Sequence, residues 1–190
     1  MDEQQAIGKL KQGDIKGLEA LVEKYHLKAV RAAYLIVQDE ALAEDVVQAS
    51  FVTLPEKIHQ FDDRRAFHPW FYRSVINKAI SLSRKRKRFV FISDSQAFEE
   101  WSNVIEGISR NGHSLEENYI SEELSQAIWL ALESLSPRQR ATIVMRYYLE
   151  FSEQEICEEI SEPKSTVKWT LYAARKKLRQ ILTPLRADED

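Results

Sequence analysis

A chain of 190 residues has room for one medium domain or two small ones. Five Gly and five Pro punctuate a sequence rich in Leu, Ile, Ala, Glu, Lys and Arg, and alternating β-branched runs are missing, so an all-α protein is expected and a sheet protein is not. One cysteine excludes an intramolecular disulfide, no stretch reaches the roughly eighteen apolar residues of a membrane span, and Met1-Asp2-Glu3 is no secretory start, so a soluble cytoplasmic protein without membrane insertion is expected.

The first strong periodicity runs from Leu18 through Leu21, Val22, Tyr25, Ala29, Ala32, Ala33 and Ile36, one side of a helix preceded by Gly13 and Asp14. A second helix starts near Asp39 or Glu40 and carries Leu42, Val46, Ala49 and Phe51 until Pro55 interrupts its hydrogen bonding. His59 to Pro69 reads as a polar loop. A third helix then starts at Pro69 and Trp70, with Phe71, Val75 and Leu82 as its buried stripe.

That helix runs into Arg84-Lys85-Arg86-Lys87-Arg88, an unbroken basic run. Periodicity weakens beyond it, and Phe89 to Leu124 carries eight acidic residues against Arg110 alone, with a short helix around Phe98, Trp101, Val104 and Ile108 as one option. The net charge of −3 therefore hides separate acidic and basic surfaces, which implies separate partners.

The C-terminal part opens with an amphipathic helix through Leu124, Ile128, Ala131, Leu132 and Leu135. Ser136-Pro137-Arg138-Gln139 and Ser152-Glu153-Gln154-Glu155 are both capping-box patterns. Ser161-Glu162-Pro163 marks a turn, and the last helix carries Val167, Leu171, Ala174, Leu178 and Ile181 inward. From Lys164 to Arg186 every charged residue is basic.

Two short helices, a tight turn and a basic outer face match a helix-turn-helix, whose second helix enters the major groove. Lys164, Ser165, Thr166, Lys168, Trp169 and Tyr172 are its candidate reading surface, and Arg175 and Lys176 lie further along, placed for phosphates or another protein. A solvated amphipathic helix would also collect lysines near its C-terminus. The combination with two capping boxes and the turn favours DNA. The N-terminal basic run, preceded by Trp70, Phe71, Tyr72 and Asn77, has the ingredients of a single-strand site, in which aromatics stack bases and cations hold the backbone. Trp70 and Phe71 fit a core equally well, and the run fits a solvated helix end.

Nothing suggests catalysis, a metal or a cofactor. His26, His59, His68 and His113 are scattered, Cys157 beside Ile156 reads as a small core residue, and no phosphate loop or activated nucleophile is present. Glu44-Asp45 and Glu158-Glu159 read as surface or partner contacts.

Over nearly its whole length the chain resembles the extracytoplasmic function (ECF) class of sigma-70 family RNA polymerase sigma factors. Ala43-Glu44-Asp45-Val46-Val47-Gln48-Ala49-Ser50-Phe51 resembles the signature of conserved region 2, where Glu is common at the Ala49 position. Phe67-His68-Pro69-Trp70-Phe71-Tyr72-Arg73-Ser74-Val75-Ile76-Asn77, followed by the basic run, is similar to the segment that reads the −10 element. Leu135-Ser136-Pro137-Arg138-Gln139-Arg140, Thr166-Val167-Lys168 and Ala174-Arg175-Lys176-Lys177-Leu178 resemble region 4.

The resemblance implies a non-enzymatic polymerase subunit that confers promoter recognition, with region 2 over residues 1–88, a linker over 89–119 and region 4 over 120–190. It assigns the neighbourhood of Asp45, Gln48 and Phe51 to the clamp helices of the polymerase β′ subunit. Opening and reading of the −10 element falls to the loop from Phe61 to Phe67 and to Trp70, Arg73, Asn77, Arg84, Lys85, Arg86, Lys87 and Arg88. Region 4 is assigned to the −35 duplex and the β flap, and the acidic linker to the polymerase cleft and RNA exit path. An anti-sigma factor is a common further partner in the family.

Several residues depart from the pattern. Ser161 and Ser165 stand where Gly is common, Ser81 where Asp is frequent, and Trp169, Thr170 and Ala173 where Ser, Arg and Arg are usual, which implies two missing cationic contacts and an altered −35 preference. Two other readings remain open at this point: a stand-alone helix-turn-helix regulator that binds palindromes as a dimer, and a helical adaptor that binds only proteins.

Overall fold

The computed structural model describes residues 1–86 and 122–186, so the acidic linker, and Lys87 and Arg88 before it, lie outside the described residues. Helices account for nearly all regular structure there, as composition implies. Helix α1 (Glu3–Lys11) starts at a capping box in which Asp2 accepts from the Gln5 backbone N–H at 2.8 Å. It adds to the helices read from periodicity, because so short a segment buries only Ala6, Ile7 and Leu10.

Asp14 caps α2 (Ile15–Val37) and Asp39 caps α3 (Glu40–Val52), each carboxylate accepting a backbone N–H of the first turn. Gly17 is the close-approach point between α1 and α2: a Cβ there would lie 2.3 Å from the Ala6 carbonyl oxygen. Pro55 starts a new helical turn, α4 (Leu54–Lys57), where its missing N–H is no loss, and a 3₁₀ turn (Ile58–Gln60) follows. Helix α5 (Phe67–Arg86) begins two residues earlier than the sequence suggests, since Pro69 is tolerated in a first turn.

Tyr25, Phe51, Phe61, Phe67 and Phe71 form the aromatic centre of this half, with the Phe51 and Phe71 rings 4.7 Å apart. Lys78 of α5 donates to the Ala49 carbonyl at 2.6 Å near the end of α3, where the helix dipole favours a cation.

The second half comprises α6 (Glu122–Glu133), α7 (Pro137–Ile143), α8 (Glu153–Ile160) and α9 (Lys164–Arg186), with α7 continuing as a single π turn over Val144–Tyr148. The Phe151 N–H donates to the Met145 carbonyl at 2.9 Å, closing the loop that leads to α8.

One hydrophobic cluster runs through both halves. Tyr34 of α2 stacks on Trp129 of α6 with centroids 5.2 Å apart, and Phe151 meets His68 edge-on and Tyr72 at a tilt. Arg140 of α7 is the polar centre of this contact, 3 % exposed and hydrogen-bonded to the Ile36 carbonyl at 2.8 Å. Among the described residues no helix is long and apolar enough to cross a membrane.

Candidate nucleic-acid interface

Both sequence-read capping boxes form. Ser136 Oγ accepts from the Gln139 N–H and Ser152 Oγ from the Glu155 N–H, each at 3.2 Å, while Gln139 and Glu155 reach back to the cap amides. The Glu155 cap hydrogen bonds hold its carboxyl below the usual carboxylate range. Arg138 at the start of α7 pairs with Glu162 in the turn between α8 and α9, bracing the helix-turn-helix from outside.

That turn reverses at Ser161, which adopts the left-handed conformation with φ 53°. The permissive position is therefore Ser161 alone: Ser165 sits within α9, where glycine's freedom is not needed.

Helix α9 buries Val167, Thr170, Leu171 and Ala174. At about 100° per residue, the row opposite that stripe is Ser165, Trp169, Tyr172 and Lys176, spaced by four, three and four residues. All four are exposed, with Lys164, Lys168 and Arg175 exposed beside them and Thr166 half-buried. One expectation is corrected here: Thr170 faces the core, so an Arg missing at that position is not a lost groove contact, and Ala173 is half-buried.

Helix α5 supplies the second surface. Arg73, Asn77 and Arg84 are exposed on it, while Lys85 and Arg86 fall in its last turn. Trp70 is half-buried against Phe61 and Phe67. Phe67, 1 % exposed, is a core residue and not a surface contact: it packs against Tyr25, Phe61 and Phe71. It positions the start of the helix.

Asn77, Ser81 and Arg84 line one wall of a cleft of about 520 Å³, and Arg138, Thr142 and Glu162 line the other. Arg73 Nε lies 3.9 Å from Glu159 Oε2, and Arg65 lies 4.0 Å from Glu158, so the paired acids of α8 face α5 and the loop before it. Burial raises the Glu159 carboxyl to about 7, against the opposing pull of Arg73.

A third surface lies on α3, where Asp45 and Gln48 are exposed. Phe51 points the other way, 6 % exposed and packed on Phe71, so it stiffens α3 from behind. Sequence reasoning missed Val52, which is 68 % exposed on the Asp45 and Gln48 side. Its spacing, seven residues from Asp45 and four from Gln48, is the signal that identifies it. Cys157 is free and half-buried. Among the described residues no group of three His, Cys, Asp or Glu side chains converges to hold a metal.

Comparison with known proteins matches both halves of the chain. The family model for sigma-70 region 2 covers residues 21–89 and that for sigma-70 region 4 covers residues 125–178. The chain is 31 % identical to the ECF RNA polymerase sigma factor SigW of Bacillus subtilis, across 94 % of this chain and 96 % of SigW. It is 30 % identical to a probable RNA polymerase sigma factor of Haemophilus influenzae, across 92 % and 93 % of the two chains.

The fold is similar to that of CnrH in its complex with the cytosolic domain of CnrY, with a TM-score of 0.67 and 21 % identity over 96 % of this chain and 97 % of the other. It is also similar to the sigma factor RpoE in complex with the anti-sigma factor NepR from Bartonella quintana, with a TM-score of 0.62 and 20 % identity over 87 % and 98 %. With both region models matched in order and SigW aligned almost end to end, the chain belongs to the ECF class of sigma-70 family RNA polymerase sigma factors.

Proposed function

We propose that this sigma factor grips promoter DNA at two points, with α9 in the major groove of the −35 element and α5 on the −10 element, while the exposed face of α3 contacts core RNA polymerase. The observation that carries the reading is the two-sidedness of α9: its apolar residues are spent on the core, and its outer row and the basic residues beside it are exposed. An α-helix fits the major groove, and cations beside it neutralise phosphates on either rim.

On α5, Asn77 and Arg84 offer hydrogen-bond donors within the cleft toward α7, Arg73 adds a third where its pairing with Glu159 gives way, and the basic run continues the sequence beyond the helix. Polar and cationic groups of this kind suit a DNA strand released from its duplex. Neither contact needs to be tight, because attachment of both halves to polymerase makes the second contact intramolecular. The likeness to RpoE in its complex with NepR supports an anti-sigma protein as a further partner.

The test is reconstitution. Purified full chain added to bacterial core RNA polymerase should initiate transcription from a subset of a promoter library. Alanine at Asn77 and Arg84 should weaken dependence on the −10 sequence, and alanine at Lys168, a cation at the rim of α9, should lower initiation from all −35 sequences alike. Tight binding to palindromic duplex without polymerase would favour a stand-alone regulator instead.

A further inference from the structure

The outer row of α9 contains an aromatic pair that a helix surface in water does not need. Trp169 is 67 % exposed and Tyr172 is 61 % exposed, three residues apart and therefore side by side on the helix. Among the described residues neither ring stacks on another. Lys168, Arg175 and Lys176 lie around them, so a polyanion approaching α9 meets cations at the rim and the two rings in the middle.

The chemistry of that row restricts what it reads. Guanine is recognised through two acceptors by Arg or Lys, and adenine by the paired donor and acceptor of Asn or Gln. Along the first two turns the row offers Ser165, Trp169 and Tyr172, with none of those four side chains. What the major groove offers to an apolar surface is the C5 methyl of thymine. We propose that Trp169, with Tyr172 beside it, determines specificity by packing on thymine methyl groups in the −35 element, so that this factor selects thymine where an outward-facing Arg would select guanine. The inference rests on the reading of α9 as the −35 helix.

The experiment uses the full chain bound to core RNA polymerase. A −35 element is first selected from a randomised library, and each thymine of either strand is then replaced by deoxyuridine, which lacks only the methyl. At one or two thymines the replacement should lower initiation about fourfold each, the equivalent of leaving one methyl-sized group unburied. Trp169→Ser should remove that difference, giving equal initiation from thymine and deoxyuridine templates, while its melting temperature stays unchanged because the side chain is exposed.

Equal initiation from both templates with the unsubstituted protein would overturn the proposal, as would a Trp169→Ser variant that keeps the full thymine preference. In either case, continued dependence of initiation on the −35 sequence would show that α9 still binds there. Initiation indifferent to the whole −35 sequence would overturn the underlying reading together with the proposal.

Discussion

Arg140 of α7 donates through its guanidinium to the Ile36 carbonyl at the end of α2, at 2.8 Å and across 104 positions of sequence. The same group reaches the Gln38 side chain and, at 3.3 Å, the Leu135 carbonyl. Burial pulls it down to about 10, so it remains charged at neutral pH, and the C-terminal carbonyls of α2 suit a cation. Arg140 thus joins the two halves where Tyr34 and Trp129 stack. Arg140→Met should keep the packing volume but leave these acceptors without their donor, at a cost of about 3 kcal/mol. Urea denaturation measures it, and an unchanged midpoint would contradict the linking role.

Gly17 faces a harder constraint. A Cβ would sit 2.3 Å from the Ala6 carbonyl oxygen and 2.6 Å from the Leu10 nitrogen, both backbone atoms that cannot rotate away. Gly17→Ala should therefore destabilise the chain by about 3 kcal/mol, overriding the better helix propensity of alanine. The change should free α1 from α2 first, which hydrogen exchange at Ala6 to Leu10 would detect as lost protection. A melting temperature equal to that of the parent would refute it.

Val52 offers a functional counterpart to these stability changes. It is exposed beside Asp45 and Gln48, so Val52→Asp should leave the melting temperature nearly unchanged. If α3 docks on polymerase with this side, a buried carboxylate at the interface should weaken core binding tenfold or more. Equilibrium titration of labelled protein with core enzyme gives the answer, and equal affinity would move the contact off this face of α3.

Caps and stripes were legible in the sequence because they are local. Asp39, Ser136 and Ser152 cap through backbone amides within a few residues, and the buried stripes of α2 and α9 follow helical period alone. Phe51 and Phe67 were harder, since a family motif marks a position without saying whether its side chain is a contact or the support behind one. The pairing of Glu159 with Arg73, and of Arg140 with Ile36, depends on how the halves pack, and no spacing rule contains that.

Ser161 carries local strain that substitution can relieve. Its φ of 53° is the left-handed region, which costs a residue with a Cβ about 1–2 kcal/mol. Glycine removes that cost but adds freedom to the unfolded chain. Ser161→Gly should therefore stabilise by up to about 1 kcal/mol, raising the melting temperature by a few degrees. Calorimetry tests it, and a lower melting temperature would mean that the Ser161 side chain holds the turn in some other way.

Glu159 makes the contact between α8 and α5 sensitive to pH. Its carboxyl is raised to about 7 chiefly by burial, while the unfolded chain titrates near the ordinary value of 4.5. Between those two values the folded state holds a proton that the unfolded state has released, so stability falls as pH rises through this window and levels off above it. Glu159→Gln, always neutral, should lose this component: relative to the parent its melting temperature should be higher at pH 8 than at pH 5. Parallel curves for the two proteins from pH 5 to pH 8 would show that Glu159 is fully charged in the fold and that Arg73 compensates its burial.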